Sequence, residues 1–167
     1  MSVIVMFFGI MIILGIYVIN VYNKFIFFRD RVFDKFKEVD KLLCDRVDYI
    51  DDIVKIINDN KLHEDLLVRK LNSLKKSIDT QIDINDRLLL FNEDIIDEAL
   101  KLDKFYKKLG NNFSDIKDKY NNNKDRVMYA TDIYNEEVLK YNNYRDNKIK
   151  KIIFDKFKFY EYNCYEK

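Results

Sequence analysis

The sequence predicts an all-α protein: an N-terminal transmembrane helix continuing into an antiparallel helical bundle of three to four long helices. Three observations predict it. The chain has no proline and only three glycines, at positions 9, 15 and 110, in 167 residues, so few residues punctuate the backbone. It carries a charge-free apolar run, VIVMFFGIMIILGIYVI, from Val3 to Ile19. Beyond that run, apolar residues recur at alternating three- and four-residue steps, the spacing that lines one face of a helix.

The apolar run comes first. As a helix rising about 1.5 Å per residue it covers roughly 26 Å, close to a hydrocarbon core. Tyr17, Tyr22, Phe25, Phe27 and Phe28 supply rings suited to the headgroup level, Lys24 can snorkel outward, and Asn20 and Asn23 mark the exit. The alternative is a cleaved secretory signal, but no Lys or Arg precedes the run and no small-x-small pair follows it, which favours retention. Lys24, Arg29, Arg31, Lys35, Lys37 and Lys41 follow the run. The positive-inside rule then puts the amino end outside and the domain in the cytoplasm. Residues 21–40, VYNKFIFFRDRVFDKFKEVD, pass from membrane edge to charged helix with no Pro or Gly. A bundle on a rigid stalk is therefore expected, with residues 1–23 as anchor, 24–148 as bundle and 149–167 as a basic, aromatic tail.

Three long stripes define the bundle. The first runs through Phe25, Arg29, Val32, Phe36, Val39, Leu43, Arg46, Ile50, Ile53 and Ile57. The second runs through Leu88, Phe91, Ile95, Ala99, Leu102, Tyr106 and Leu109, and the third through Phe113, Ile116, Tyr120, Asn123, Val127, Ala130, Tyr134, Glu137, Tyr141 and Tyr144. Leu67, Leu71, Leu74 and Ile78 form a shorter one. Breaks fall at 58–64 (NDNKLHE), 79–86 (DTQIDIND) and 110–112 (GNN). Gly110 suits a helix C′ position, with Asn112 or Ser114 capping the next helix. Helices are expected near 3–57, 63–80, 86–109 and 113–147, with a short tail helix over 149–160. Whether 63–109 makes one pass or two stays open.

Chemistry finds little purchase. Thirty Lys and Arg against 29 Asp and Glu give a net charge of +1, without the basic footprint of a nucleic-acid binder. Cys44 and Cys164 lack partners at metal-ligand spacing and read as free thiols in a reducing compartment. His63-Glu64 resembles half a zinc-protease motif, yet position 67, where the second ligand belongs, is Leu, and the chain has one histidine. A polar pair at a helix start is the better reading. Nothing places a cysteine beside His63, and phosphate cradles need glycine clusters that are missing. No catalytic residue, metal or cofactor is expected, and the chain does not read as an enzyme.

Several polar residues on the stripes invite interpretation. Arg29 and Arg46 either snorkel, the favoured reading, or pair in the interior with a carboxylate such as Asp40. Asn123 is either a buried register-setting polar group or a solvated turn. Tyr134 and Tyr141 sit on the inner stripe with Asn135 and Asn142 on its flank, which suggests core rings plus rim hydrogen bonds. In the tail, RDNKIKKIIFDKFKFY (145–160) combines an excess of basic residues with Ile149, Ile152, Ile153, Phe157 and Tyr160 at helical spacing. It either contacts anionic lipid or packs on the bundle.

The stretch YNKFIFFRDRVFDKFKEVDKLLCDRVDYIDDIV and the His-Glu after it resemble the LemA family of bacterial membrane proteins. Tyr22-Asn23, Arg29, Val32, Val39-Asp40, Arg46, Asp48, Ile50, Ile53-Val54 and His63-Glu64 fall on its pattern without a gap. Ala130, Tyr134-Asn135, Val138 and Tyr141-Asn142 match its later half, and FDKFKFYEY (154–162) is similar to its closing aromatic segment. Residues 65–105 match only in kind. Phe36 stands where the family has Trp, Asp51 where it has Pro and Thr131 where it has Arg. The resemblance implies a single-pass anchor, an antiparallel helical bundle and no established catalytic activity. It makes Tyr22, Asn23, Asp40, Arg46, His63, Glu64, Tyr134, Asn135, Tyr141 and Asn142 candidate interaction positions. A membrane-anchored, non-catalytic interaction or scaffold protein with unidentified protein partners is the expectation. The alternative is an accessory that passes a signal to a sensor kinase or other envelope partner, weakened by the two residues that precede the span.

Overall fold

The computed structural model describes residues 2–80, 93–102, 106 and 109–165. Every regular element among them is a helix: α1 (Ser2–Asp59), α2 (Asp65–Thr80), α3 (Glu93–Leu100), α4 (Gly110–Arg145) and α5 (Lys148–Lys156). The all-α expectation holds. The first stretch of α1, Val3–Ile19, is exposed throughout apart from half-buried Val18, and a methyl group added at Gly9 or Gly15 would meet nothing within 4 Å. By length and composition this helix can cross a membrane.

Chain contacts divide the molecule into two compact units, residues 1–37 with 131–167, and residues 38–130. In the second unit the core is built from Val39, Leu43, Ile50, Ile53 and Ile57 of α1, Leu67, Leu71 and Leu74 of α2, Ile96 and Ala99 of α3, and Phe113, Tyr120 and Val127 of α4. These are the predicted stripes, with Ile96 taking the buried place where half-buried Ile95 was expected. Lys70 of α2 pairs with Glu98 of α3 at 3.5 Å. Residues that far apart in sequence cannot meet along one straight helix, so α2 and α3 are separate passes. The expected start of the third helix, 86–92, lies outside the described residues.

In the first unit Phe25 is fully buried, as are Val32, Val138 and Tyr141. Followed from Phe25 to Arg31, α1 meets α4 first at Tyr141 and then at Glu137. Contacts that retreat on one helix as they advance on the other define an antiparallel pair. Phe36, expected in the core, is half-buried and stacks on exposed Phe33 with ring centroids 6.3 Å apart.

Two helix ends depart from expectation for one reason. The tail helix stops at Lys156, short of 160, in a Schellman closure: Lys158 takes a left-handed φ of 53° and donates to the Asp155 carbonyl, while Phe159 N–H reaches the Phe154 carbonyl. The accompanying apolar contact is present, with the Phe154 and Phe159 rings 5.9 Å apart. Helix α1 ends the same way, with Lys61 at φ 51°, Lys61 N–H on the Asn58 carbonyl and Leu62 N–H on the Ile57 carbonyl. Both sites use lysine where glycine is usual. Gly110, expected just past a helix end, instead opens α4, and Phe113 is buried within its first turn.

Candidate functional site

The second unit contains a buried polar centre. Arg46, 3% exposed on α1, donates from Nε to Asn123 Oδ1 at 3.0 Å, and Asn123 Nδ2 donates to the Leu42 carbonyl at 3.0 Å. The guanidinium lies 5.7 Å from the centre of the Tyr120 ring. Arg46 therefore does not snorkel. Its Nε partner is an amide on the facing helix, which ties α1 to α4 in one register. Asn123, 2% exposed, is the buried polar group and not a solvated turn. Arg29 differs, since it is exposed and paired with Asp30 at 2.7 Å.

The His63-Glu64 pair falls at the α1–α2 turn. His63 is exposed. The Glu64 carbonyl accepts from Val68 N–H as α2 begins, and its carboxylate accepts from the Tyr106 hydroxyl at 2.9 Å. That hydrogen bond pushes the Tyr106 hydroxyl above the ordinary phenol value. Glu64 thus ties the start of α2 to Tyr106. Among the described residues no three His, Cys, Asp or Glu side chains gather where a metal ion could be held. Asp40 is half-buried, and Cys44 is exposed and outside any disulfide.

The more elaborate constellation is in the first unit, where the tail returns along α4. Beyond α5 the chain runs extended from Phe159 to Tyr165, and two Tyr-Asn pairs hold it. The Tyr141 hydroxyl donates to the Tyr160 carbonyl at 2.8 Å and Asn142 Nδ2 to the Tyr162 carbonyl at 2.9 Å. Seven helical residues back, the Tyr134 hydroxyl donates to the Asn163 carbonyl at 3.3 Å and Asn135 Nδ2 to the Tyr165 carbonyl at 3.1 Å. Asn135 Oδ1 also accepts from Tyr165 N–H at 2.7 Å. Every one of these bonds goes to main-chain atoms of the tail. The side chains add ring contacts, Tyr134 on Tyr165 at 4.7 Å and Tyr141 on Tyr162 at 5.2 Å, and an Arg145–Glu161 ion pair at 2.7 Å. The Arg145 hydrogen bond holds the Glu161 carboxyl below the usual range. Burial pushes the Tyr141 hydroxyl well above its ordinary value, so it stays a donor.

The same unit shows the tail divided in its loyalties. Ile153 and Phe154 are buried, and Phe25 packs on Phe154 and Phe159 at 5.5 and 5.2 Å. Phe157 and Phe159 lie against Tyr22 at 5.0 and 5.6 Å. Ile149, Ile152 and Tyr160 stay exposed. Asn23, next to Tyr22, is exposed as well. Glu137, a break in the third stripe, is 2% exposed and takes Arg31 at 2.8 Å and Lys140 at 2.9 Å on the same oxygen.

Of the ten candidate positions, the structure joins Tyr134, Asn135, Tyr141 and Asn142 in one clamp and places Tyr22 against the same tail. Arg46 belongs to the separate polar centre and Glu64 to the α1–α2 turn. Sequence reasoning missed the strap itself, Glu137 and the Asn123 partnership. The doubled Tyr-Asn pair at a seven-residue repeat was the available signal, since identical spacing on one helix face points to a repeated ligand. No protein-family model matches the chain, and no curated protein matches it.

Proposed function

We propose that this chain is a membrane-anchored, non-catalytic interaction protein of the LemA type, with α1 crossing the bilayer between Val3 and Ile19 and the helical domain in the cytoplasm. The observation that carries the reading is the unpartnered apolar surface of α1. A helix apolar all round belongs in a membrane or a core, and here its side chains are exposed. The basic residues that follow the run support the orientation. The polar groups described above direct their hydrogen bonds into the chain itself, which favours holding partners over performing chemistry. Lysines of α5, flanking exposed Ile149 and Ile152 in the unit that includes Tyr22, support a contact between the tail and anionic lipid.

The unbroken course of α1 from Ser2 to Asp59 favours one second reading, an accessory that passes a piston or rotation to a partner such as a sensor kinase. Proximity labelling from the domain in its native membrane tests both. A reproducible set of membrane or envelope proteins supports the scaffold, whereas a sensor kinase whose output changes on deletion of the chain supports signalling. Labelling no different from that of an anchor-only control contradicts the proposal.

A further inference from the structure

We infer that the Tyr-Asn face of α4 is a peptide-binding groove for an extended, aromatic-bearing segment of a partner protein, and that the chain's own tail occupies it in cis. This deepens the interaction reading and rests on it.

Two observations point to a ligand site and not merely a packed terminus. The first is how the tail is read. The side chains of Tyr134, Asn135, Tyr141 and Asn142 reach tail carbonyls and one tail N–H through five hydrogen bonds to main-chain atoms, and the Cys164 thiol adds a long contact of 3.9 Å to the Asn135 carbonyl. Main-chain readout with rings accepting alternate side chains is how proteins recognise extended peptides generally. The geometry has a repeat built into it. Seven helical residues advance about 10.5 Å, and three extended residues advance about 10 Å. Asn135 and Asn142, seven apart, can therefore meet peptide units three apart, and they do so at Tyr165 and Tyr162.

The second observation is that the tail is an imperfect occupant. Asn135 is satisfied at both ends of its amide by the main-chain N–H and carbonyl of Tyr165. Asn142 repeats only half of that pattern: its Nδ2 is bonded to the Tyr162 carbonyl, while its Oδ1 is buried without a hydrogen-bond partner. A buried acceptor left unpaired costs free energy. An extended segment whose N–H meets Asn142 as Tyr165 meets Asn135 satisfies both amides. The ligand class is thus a peptide with aromatic side chains three residues apart, seated over Tyr134 and Tyr141 as Tyr165 and Tyr162 are. Such a segment must compete with a tail tethered at an effective concentration on the order of millimolar, and the cis occupant lowers its apparent affinity by the fraction of grooves left open.

The test uses the full chain in detergent micelles and a fluorescent peptide carrying residues 157–165 with C164S. Tyr162→Ala with Tyr165→Ala loosens the cis tail and should tighten peptide binding at least tenfold over the natural chain. Adding Asn135→Ala and Asn142→Ala should abolish it. Methylating the peptide nitrogen at position 165 should weaken binding, whereas replacing the Asn163 side chain should not. A second readout avoids the tail variants. In a chain with Cys44→Ser, the half-buried Cys164, 3.9 Å from the Asn135 carbonyl, reports release of the tail by its alkylation rate. Saturating peptide should accelerate that rate. Binding that survives loss of both asparagines overturns the inference, as does a Cys164 rate unmoved by peptide. Either failure leaves the membrane-partner experiment untouched, so the groove and the interaction reading fall separately.

Discussion

Asn123→Ala strikes a buried contact that ties the Arg46 guanidinium of α1 to the facing helix. The substitution removes the acceptor of the Arg46 Nε bond and the donor to the Leu42 carbonyl, at positions 2% and 3% exposed. A hydrogen bond to a charged group contributes about 1.5–3 kcal/mol and a neutral one about 0.5–1.5. Their loss should cost about 2–4 kcal/mol, falling to about 0.5–1.5 kcal/mol once Arg46 is gone and only the Leu42 bond remains. The sign of the coupling is the informative part. Arg46→Met with Asn123→Leu replaces the polar centre by apolar groups and should recover much of the loss, because an apolar replacement of a buried polar pair is often neutral or better. Urea unfolding followed by circular dichroism on the full chain in detergent measures all four members of the cycle. An Asn123→Ala cost below about 1 kcal/mol, the level of a surface site, or single costs that simply add, would refute the buried register pair.

Phe25→Ala should cost about 3–5 kcal/mol, since the ring is fully buried among four others, while half-buried Phe36→Ala should cost less than half as much; equal losses in the same unfolding assay would contradict the burial pattern. Lys61→Gly and Lys158→Gly should each stabilise by about 0.5–1 kcal/mol, because both replace a side chain held at left-handed φ, and a lowered urea midpoint would show that the lysine side chains contribute more than the backbone strain removes. For an anchor-free chain beginning at residue 24, Lys148→Gln, Lys151→Gln and Lys156→Gln together should weaken binding to anionic vesicles roughly 100-fold at low salt, at about 1 kcal/mol per lysine; salt-insensitive binding equal to that of the parent would remove lipid from the tail's partners.

Much of the fold was legible because periodicity is a local signal with a global cause. The third stripe from Phe113 to Tyr144 names most inward residues of α4, including the polar Asn123 and Glu137, but passes over buried Thr131 and Val138. Helix ends were harder. Both Schellman closures place lysine where the left-handed residue is ordinarily glycine, so Lys61 and Lys158 gave no warning. The partners of polar stripe residues were not legible either, because Arg46 with Asn123, or Arg31 with Glu137, are choices made between distant segments. The clamp shows both sides of this. Its tyrosines read correctly as inner-face rings, and its asparagines as flanking donors. What they hold, an extended strap from Phe159 to Tyr165, follows a helix stop that no residue type announced.

The central claim is that α1 is a retained membrane span with the helical domain on the cytoplasmic side. Cys44 tests it, because the residue is exposed and forms no disulfide. With Cys164 changed to Ser, a membrane-impermeant maleimide should leave Cys44 unlabelled in intact cells and label it after permeabilisation, while the chain stays in the membrane through alkaline carbonate extraction. Efficient labelling of Cys44 in intact cells, or release of the chain by carbonate, would contradict the account.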